Sequence, residues 1–320
     1  MRALQITGPG RYEITDIPVP APREDEVLIK IAGCNTCTQW DLTVWKGVDI
    51  FDRPGHPEYP LRPGAPGHEF SGVVVAKGAK VTKLQIGDRV ATSGGPSRET
   101  GAYVEYALNS QDLTWRMPDH LPFAQAGCCE LLSCVCSSIL RLGEVVTKRV
   151  GVSGLGPAGL LAIQALRARG AREIVGFDIE PRRLPLAREL GATSAVLGRS
   201  AEWEALTREP LDVAVDCVGV AASVNDLMKV TRDRVLIFGV LHGTAEYTKQ
   251  EYSRGLKLEG YGRRLPEAGE YAAHLLSSGI VRTDRFITAS FPLEEYDRGI
   301  DLLTRKDAIK IWYTIDNTAS

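Results

Sequence analysis

Cys37, the run Gly67-His68-Glu69 and the run Gly154-Leu155-Gly156-Pro157-Ala158-Gly159 are the residues of this chain whose types and spacing can do chemistry. Thiolate, imidazole and carboxylate are donors that zinc takes, and a catalytic zinc site keeps one position open for water or substrate. The glycine run follows the apolar stretch 149–153 and opens a helical pattern. In that context Gly154 permits a tight turn, Gly156 lets the backbone approach a pyrophosphate, and Gly159 lets helix pack on strand. The helix N-terminus then attracts the anion. An acidic residue about 20 residues on should accept the ribose hydroxyls, and Asp178 closes the next apolar strand there. Its carboxylate opposes a ribose 2′-phosphate and favours NAD over NADP. Arg182 and Arg183 lie close by and pull the other way, and Arg183 joins the cofactor-binding candidates. A further metal ligand is expected from the helix ahead of the glycine turn, where Glu130 follows Cys128 and Cys129. A metal that polarises an oxygen, in one chain with a nicotinamide that exchanges hydride, implies interconversion of an alcohol and a ketone.

The elements that must position these groups change character along the chain. Up to about residue 120 the sequence reads as short strands with turn punctuation: 26–31, 72–76 and 86–91. Between Trp45 and Pro66 runs a loop rich in Pro, Gly and aromatic residues, long enough to be functional. From Pro122 onward helix and strand alternate. The pattern predicts an apolar helix over 123–142, then strands at 149–153, 173–178, 195–197, 213–216, 234–238 and 256–258. Helices over 157–169 and 182–190 lie between them. That βαβαβ alternation implies a doubly wound parallel sheet in an α/β fold. A helix at 267–277 and a strand at 309–313 should return to the first domain, since the doubly wound unit is complete by residue 262.

Composition sets the class. At 320 residues, with 44% hydrophobic and 24% charged residues, the chain reads as a globular protein of two domains. A net charge of -2 leaves no reason to expect nucleic acid or an anionic membrane as partner. The first residues lack the charged-then-apolar pattern of a secretory signal. Seven cysteines, an odd number, then suggest reduced thiols and a cytoplasmic setting.

Read together, these segments resemble the zinc-dependent medium-chain dehydrogenase/reductase family over nearly the whole chain. Residues 26–37 are similar to the family's strand and first zinc cysteine, 66–74 to its Gly-His-Glu signature, and 81–90 to the run into its next strand. Glu130-Leu-Leu-Ser-Cys134 is similar to the Glu-Pro-Leu-Ser/Ala segment of the polyol and threonine dehydrogenase branch. The resemblance implies a GroES-like, mainly β catalytic domain at 1–119 and 263–320 and a Rossmann NAD-binding domain at 120–262. It implies zinc on Cys37, His68 and Glu69, with Glu130 as fourth or exchangeable ligand. It also implies a small-molecule alcohol or ketone substrate and a homo-oligomer, dimer or tetramer.

Three departures from the family pattern matter. Residues 92–101 hold no cysteine, so one catalytic zinc and no structural zinc is expected. Gln39 stands where the family has a Ser or Thr two residues after the zinc cysteine, which leaves Thr38 as the nearest hydroxyl for the alcohol proton. Leu131 replaces the usual proline after Glu130, and Cys128 or Cys129 is an alternative to Glu130 in the metal shell. Asp41 reads as a residue that orients the site. Trp40, Trp45 and Tyr59 read as aromatic walls which, with polar Glu69 and Glu130, suit a secondary alcohol of polyol or sugar type. Two other readings take up part of the pattern. One is a zinc-free NAD(P)H-dependent quinone or enone reductase of the same superfamily, against which the three-ligand set argues. The other is a non-catalytic NAD(H)-sensing regulator, which needs no open metal position.

Overall fold

Gly- and Pro-punctuated strand runs give way to alternating strands and helices, and the chain folds as two units along that change. The computed structural model describes residues 1–96 and 99–315; Ser97 and Arg98, within the cysteine-free 92–101 stretch, lie outside the described residues. The first unit comprises Met1–Ser133, Gly269–Ser278 and the chain from Thr283; the second comprises Cys134–Ala268 and Gly279–Arg282.

The first unit begins with β1 (Arg2–Gly8), β2 (Arg11–Asp16), β3 (Glu26–Asn35), α1 (Thr38–Trp45), β4 (Glu69–Lys77), β5 (Arg89–Thr92), β6 (Tyr106–Ser110), β7 (Thr114–Arg116) and α2 (Phe123–Ala126). Helix α3 (Cys129–Arg141) leads on. Strand β8 (Arg149–Ser153), α4 (Pro157–Ala168), β9 (Glu173–Asp178), α5 (Leu184–Glu189), β10 (Ser194–Leu197) and α6 (Ala201–Ala205) follow. Then come β11 (Leu211–Asp216), α7 (Ala221–Val230), β12 (Thr231–Ile237), α8 (Lys249–Ser253) and β13 (Lys257–Gly260). Helix α9 (Glu267–Ser277), β14 (Ile287–Pro292), α10 (Tyr296–Thr304) and β15 (Lys310–Thr314) close the chain.

In the first unit β1 and β2 form a hairpin, and a larger sheet runs β14-β15-β3-β4-β5-β7 with β6 also on β3. Its core gathers Ile29, Ile31, Phe70, Val74, Val90, Tyr103, Tyr296, Ile311 and Tyr313. The register decides what meets at one end. Asn35 of β3 stands opposite Glu69 at the start of β4 and opposite Trp312 of β15. The last turn of β3, the Gly-His-Glu run and the start of β15 therefore converge.

The second unit is the expected parallel sheet, in the order β10-β9-β8-β11-β12-β13. Strand order reverses between β8 and β11, and in such sheets ligands bind beyond the carboxyl ends of the strands at that point. Val175, Phe177, Leu211, Ala214, Leu227 and Val235 pack its core.

The apolar run expected as one helix is two. Asn35 Nδ2 donates to the Ala124 carbonyl at 2.9 Å, and the Cys128 N–H turns instead to Gln125. A side chain on Gly127 would meet Asn35 Nδ2 at 2.8 Å, so glycine allows the break. The run Phe123–Arg141 is long and apolar enough to cross a membrane, and most of it is buried inside the protein, as in a core helix.

Candidate metal centre and nucleotide site

The strand ends place three donors together. One ligand atom each from Cys37, His68 and Glu69 lies within 4.8 Å of the others, the single such group of His, Cys, Asp or Glu among the described residues. Cys37 caps the start of α1. His68 Nδ1 lies 2.8 Å from the Pro66 carbonyl, to which it donates. That bond fixes the tautomer and leaves Nε2 with its lone pair for a metal. Burial alone would pull the His68 pKa down. The hydrogen bond to Cys37 and the charges of Cys37, Glu130 and Glu69 push it well above its usual value. A place that draws a proton so strongly also attracts a cation.

Glu69 is wholly buried, and its Oε1 has no hydrogen-bond partner among the described residues. Its Oε2 lies 2.7 Å from Lys310 Nζ, and both side chains are at most 1% exposed. Lys310 also donates to the Thr36 carbonyl at 2.6 Å. Burial disfavours its ammonium, but the Glu69 carboxylate outweighs that and raises the lysine above its ordinary pKa. Lys310 was absent from the sequence reasoning. The only signal was a charge within the apolar run 309–313, and the fold buries it completely.

Glu130 is buried in the first turn of α3. It stands outside the three-donor group, yet its charge raises both His68 and Glu69. Cys128 Sγ accepts from Asn35 Nδ2 at 3.5 Å, and burial pushes its thiol up to about 12. Neither Cys128 nor Cys129 joins the group. The Thr38 hydroxyl donates to the Ile309 carbonyl at 3.1 Å. The Trp40 ring lies 5.2 Å from the His68 ring, and Phe51 meets Trp40 edge-on at 6.0 Å. The donor set, a thiol and an imidazole already in contact beside one orphaned carboxylate oxygen, fits zinc.

The second unit builds its own site. Gly154 has φ +86°, a left-handed conformation that favours glycine, and a Cβ on Gly159 would fall 1.8 Å from the Gly154 carbonyl. A Cβ on Gly156 would meet nothing closer than Arg183 Nη1 at 3.9 Å, so its face is open to a ligand. Gly156 caps α4, Pro157 and Ala158 open it, and its first turn carries no acid, which leaves a helix N-terminus suited to an anion. Asp178 at the end of β9 accepts from the Leu155 N–H at 2.7 Å and from the Glu180 N–H at 2.9 Å. Arg183 Nη1 lies 3.3 Å from the same carboxylate. The open cradle and the adjacent acid fit a dinucleotide.

Residues 23–119 match the alcohol dehydrogenase GroES-like domain, and residues 157–278 match the zinc-binding dehydrogenase family. The chain belongs to the zinc-dependent medium-chain dehydrogenase/reductase family. It is 27% identical to the sorbitol dehydrogenase of Bombyx mori over 358 residues, covering 98% of this chain and 99% of that one. The L-threonine 3-dehydrogenase of Bacillus velezensis is 26% identical, over 93% of this chain and 94% of its own. A putative zinc-binding dehydrogenase of Sinorhizobium meliloti, solved with NADP, superposes with a TM-score of 0.83 at 25% identity, covering 98% and 99%. Family membership makes this chain an oxidoreductase that acts on alcohols. The medium-chain fold supplies the GroES-like and Rossmann units described above.

Proposed function

We propose that this enzyme oxidises a secondary alcohol of polyol or sugar type with NAD, using one zinc per chain on Cys37, His68 and Glu69. The observation that carries the reading is the meeting of those three donors in one unit, while the other holds a glycine turn backed by Asp178. Zinc there supplies a Lewis acid that eases ionisation of a substrate hydroxyl, and NAD supplies the hydride acceptor.

The chain's own residues do the rest. Cys37 and Glu69 bring negative charge, His68 brings a neutral nitrogen oriented by Pro66, and Lys310 offsets one carboxylate. Glu130 serves as fourth or exchangeable ligand. Thr38 carries the hydroxyl proton after giving up its bond to Ile309, because Gln39 has no hydroxyl to offer. Gly154 to Gly159 seat the pyrophosphate, and Asp178 receives the ribose hydroxyls with Arg183 beside it. The Asp178 carboxylate favours NAD, although one structural relative was solved with NADP bound. Polar Glu69 and Glu130 beside the indole of Trp40 suit a substrate with neighbouring hydroxyls and a C–H face, and the sorbitol dehydrogenase relatives support that class. A cytoplasmic setting and a dimer or tetramer complete the proposal.

A kinetic panel of ethanol, 2-butanol, sorbitol, threonine and cyclic polyols, with NAD and NADP in parallel, tests this. Polyols with NAD should show the highest kcat/KM. An advantage for simple alcohols, or for NADP, overturns the corresponding part.

A further inference from the structure

Asp41 is a wholly buried carboxylate that the reaction above does not use. It lies one turn into α1, four residues after the zinc-ligand candidate Cys37. Its Oδ2 accepts from the Cys37 backbone N–H at 2.8 Å. Its Oδ1 accepts from two tyrosine hydroxyls, Tyr103 at 2.7 Å and Tyr296 at 2.6 Å. No described cation makes an ion pair with it. Both tyrosines are fully buried, and their rings meet edge-on at 5.4 Å. Tyr313, also buried, donates to the Tyr296 carbonyl at 2.6 Å and packs on both rings.

A carboxylate fixed from two sides by charge-assisted hydrogen bonds has little freedom to move. The Cys37 N–H is one of the donors that a helix start leaves without an internal partner. Cys37 itself has no side-chain cap, so Asp41 is what holds that peptide. His68 takes its orienting bond from Pro66 instead, so Asp41 acts on the thiol side of the donor group.

We infer that Asp41, clamped by Tyr103 and Tyr296, is a positioning residue that fixes the backbone of Cys37 and thereby sets how firmly the site keeps its metal. The inference rests on Cys37 being a zinc ligand. The clamp joins the start of α1 to the chain before β6 and to the first residue of α10. A looser clamp therefore acts first on the Cys37 peptide, while His68 keeps its own bond to Pro66. Partners that orient metal ligands in this way typically alter metal affinity by about 10- to 100-fold when lost.

Three variants of the full-length zinc-loaded protein test it: Asp41→Asn, Tyr103→Phe and Tyr296→Phe. Two readouts are needed besides activity: the rate of zinc loss to a chelator well below Tm, and the thiolate-to-metal absorption band after cobalt substitution. Asn keeps an oxygen for the tyrosines but can turn an NH2 toward the Cys37 N–H, so Asp41→Asn should release zinc at least about 10-fold faster. Each Tyr→Phe variant should release it faster by a smaller factor, and the cobalt–thiolate band should shift in all three. If Tm falls while zinc loss and the cobalt band match the parent, Asp41 is only structural and the inference is overturned. The Tyr→Phe variants keep the test open should Asp41→Asn fail to fold. If the parent protein binds no zinc or cobalt at all, the underlying metal-site reading fails instead, and that outcome is distinct.

Discussion

Replacing Lys310 with methionine should destabilise the metal-free protein far more than the zinc-loaded protein. Methionine keeps most of the volume and removes the charge that faces Glu69 Oε2 at 2.7 Å in a wholly buried pair. Removing one partner of such a pair typically costs about 3–5 kcal/mol, because the other charge is left buried and uncompensated. For a unit of 150–250 residues, 1 kcal/mol moves Tm by about 2–4 °C, so metal-free Lys310→Met should melt roughly 6–20 °C lower. Zinc held by Glu69 restores positive charge beside the carboxylate, and the shift in the loaded protein should be clearly smaller. The pH of the assay matters in a defined direction. The folded pKa of Lys310 is raised, so its stabilisation is complete below the unfolded lysine value of about 10.4 and fades as pH rises through the folded value. Burial also pushes the Glu69 carboxyl up to about 7, so the pair is fully charged only well above that value and below the lysine's, and the scan belongs in that window. Tryptophan fluorescence is a suitable probe, since Trp40, Trp45, Trp115 and Trp312 lie in the first unit and Trp203 alone in the second. Adding Glu69→Gln to Lys310→Met in the metal-free protein should recover much of the loss. A metal-free shift under about 2 °C, or equal shifts with and without zinc, refutes the reasoning.

Gly159→Ala places a Cβ 1.8 Å from the Gly154 carbonyl and must displace the phosphate turn, so KM for NAD should rise at least about 10-fold while zinc content stays constant. Asp178→Ala removes the acceptor of the Leu155 and Glu180 N–H groups; NAD binding should weaken and the NAD-to-NADP preference narrow or invert, as read from kcat/KM for each cofactor. Thr38→Ala should lower kcat by about 100-fold and Thr38→Ser should restore most of it, consistent with the usual 10²–10⁴ contribution of a positioned proton carrier. An unchanged kcat in Thr38→Ala removes Thr38 from the proton route.

The sequence carried the division into a β-rich part and a doubly wound part because strand runs and helix periods differ plainly on either side of residue 120. The glycine turn was legible for the same reason: its spacing, the preceding strand and Asp178 are local. What stayed hidden depended on register between distant strands. Lys310 reaches Glu69 only because β15 pairs with β3 and β3 with β4. Asp41 could be read as an orienting residue, but not its tyrosine partners, which come from 62 and 255 positions away. The break between α2 and α3 was invisible too, since the amide that takes the Ala124 carbonyl belongs to Asn35. Glycine at 127 was the one local hint.

X-ray absorption at the zinc edge, on protein purified without added metal, tests the central claim most directly. One zinc per chain should appear, with a single sulfur at about 2.3 Å and nitrogen or oxygen donors at about 2.0–2.2 Å. Cys37→Ala should lose both the sulfur and most of the metal. Two sulfur donors would bring Cys128 or Cys129 into the shell, and zinc-free protein that still reduces NAD with an alcohol would contradict the account outright.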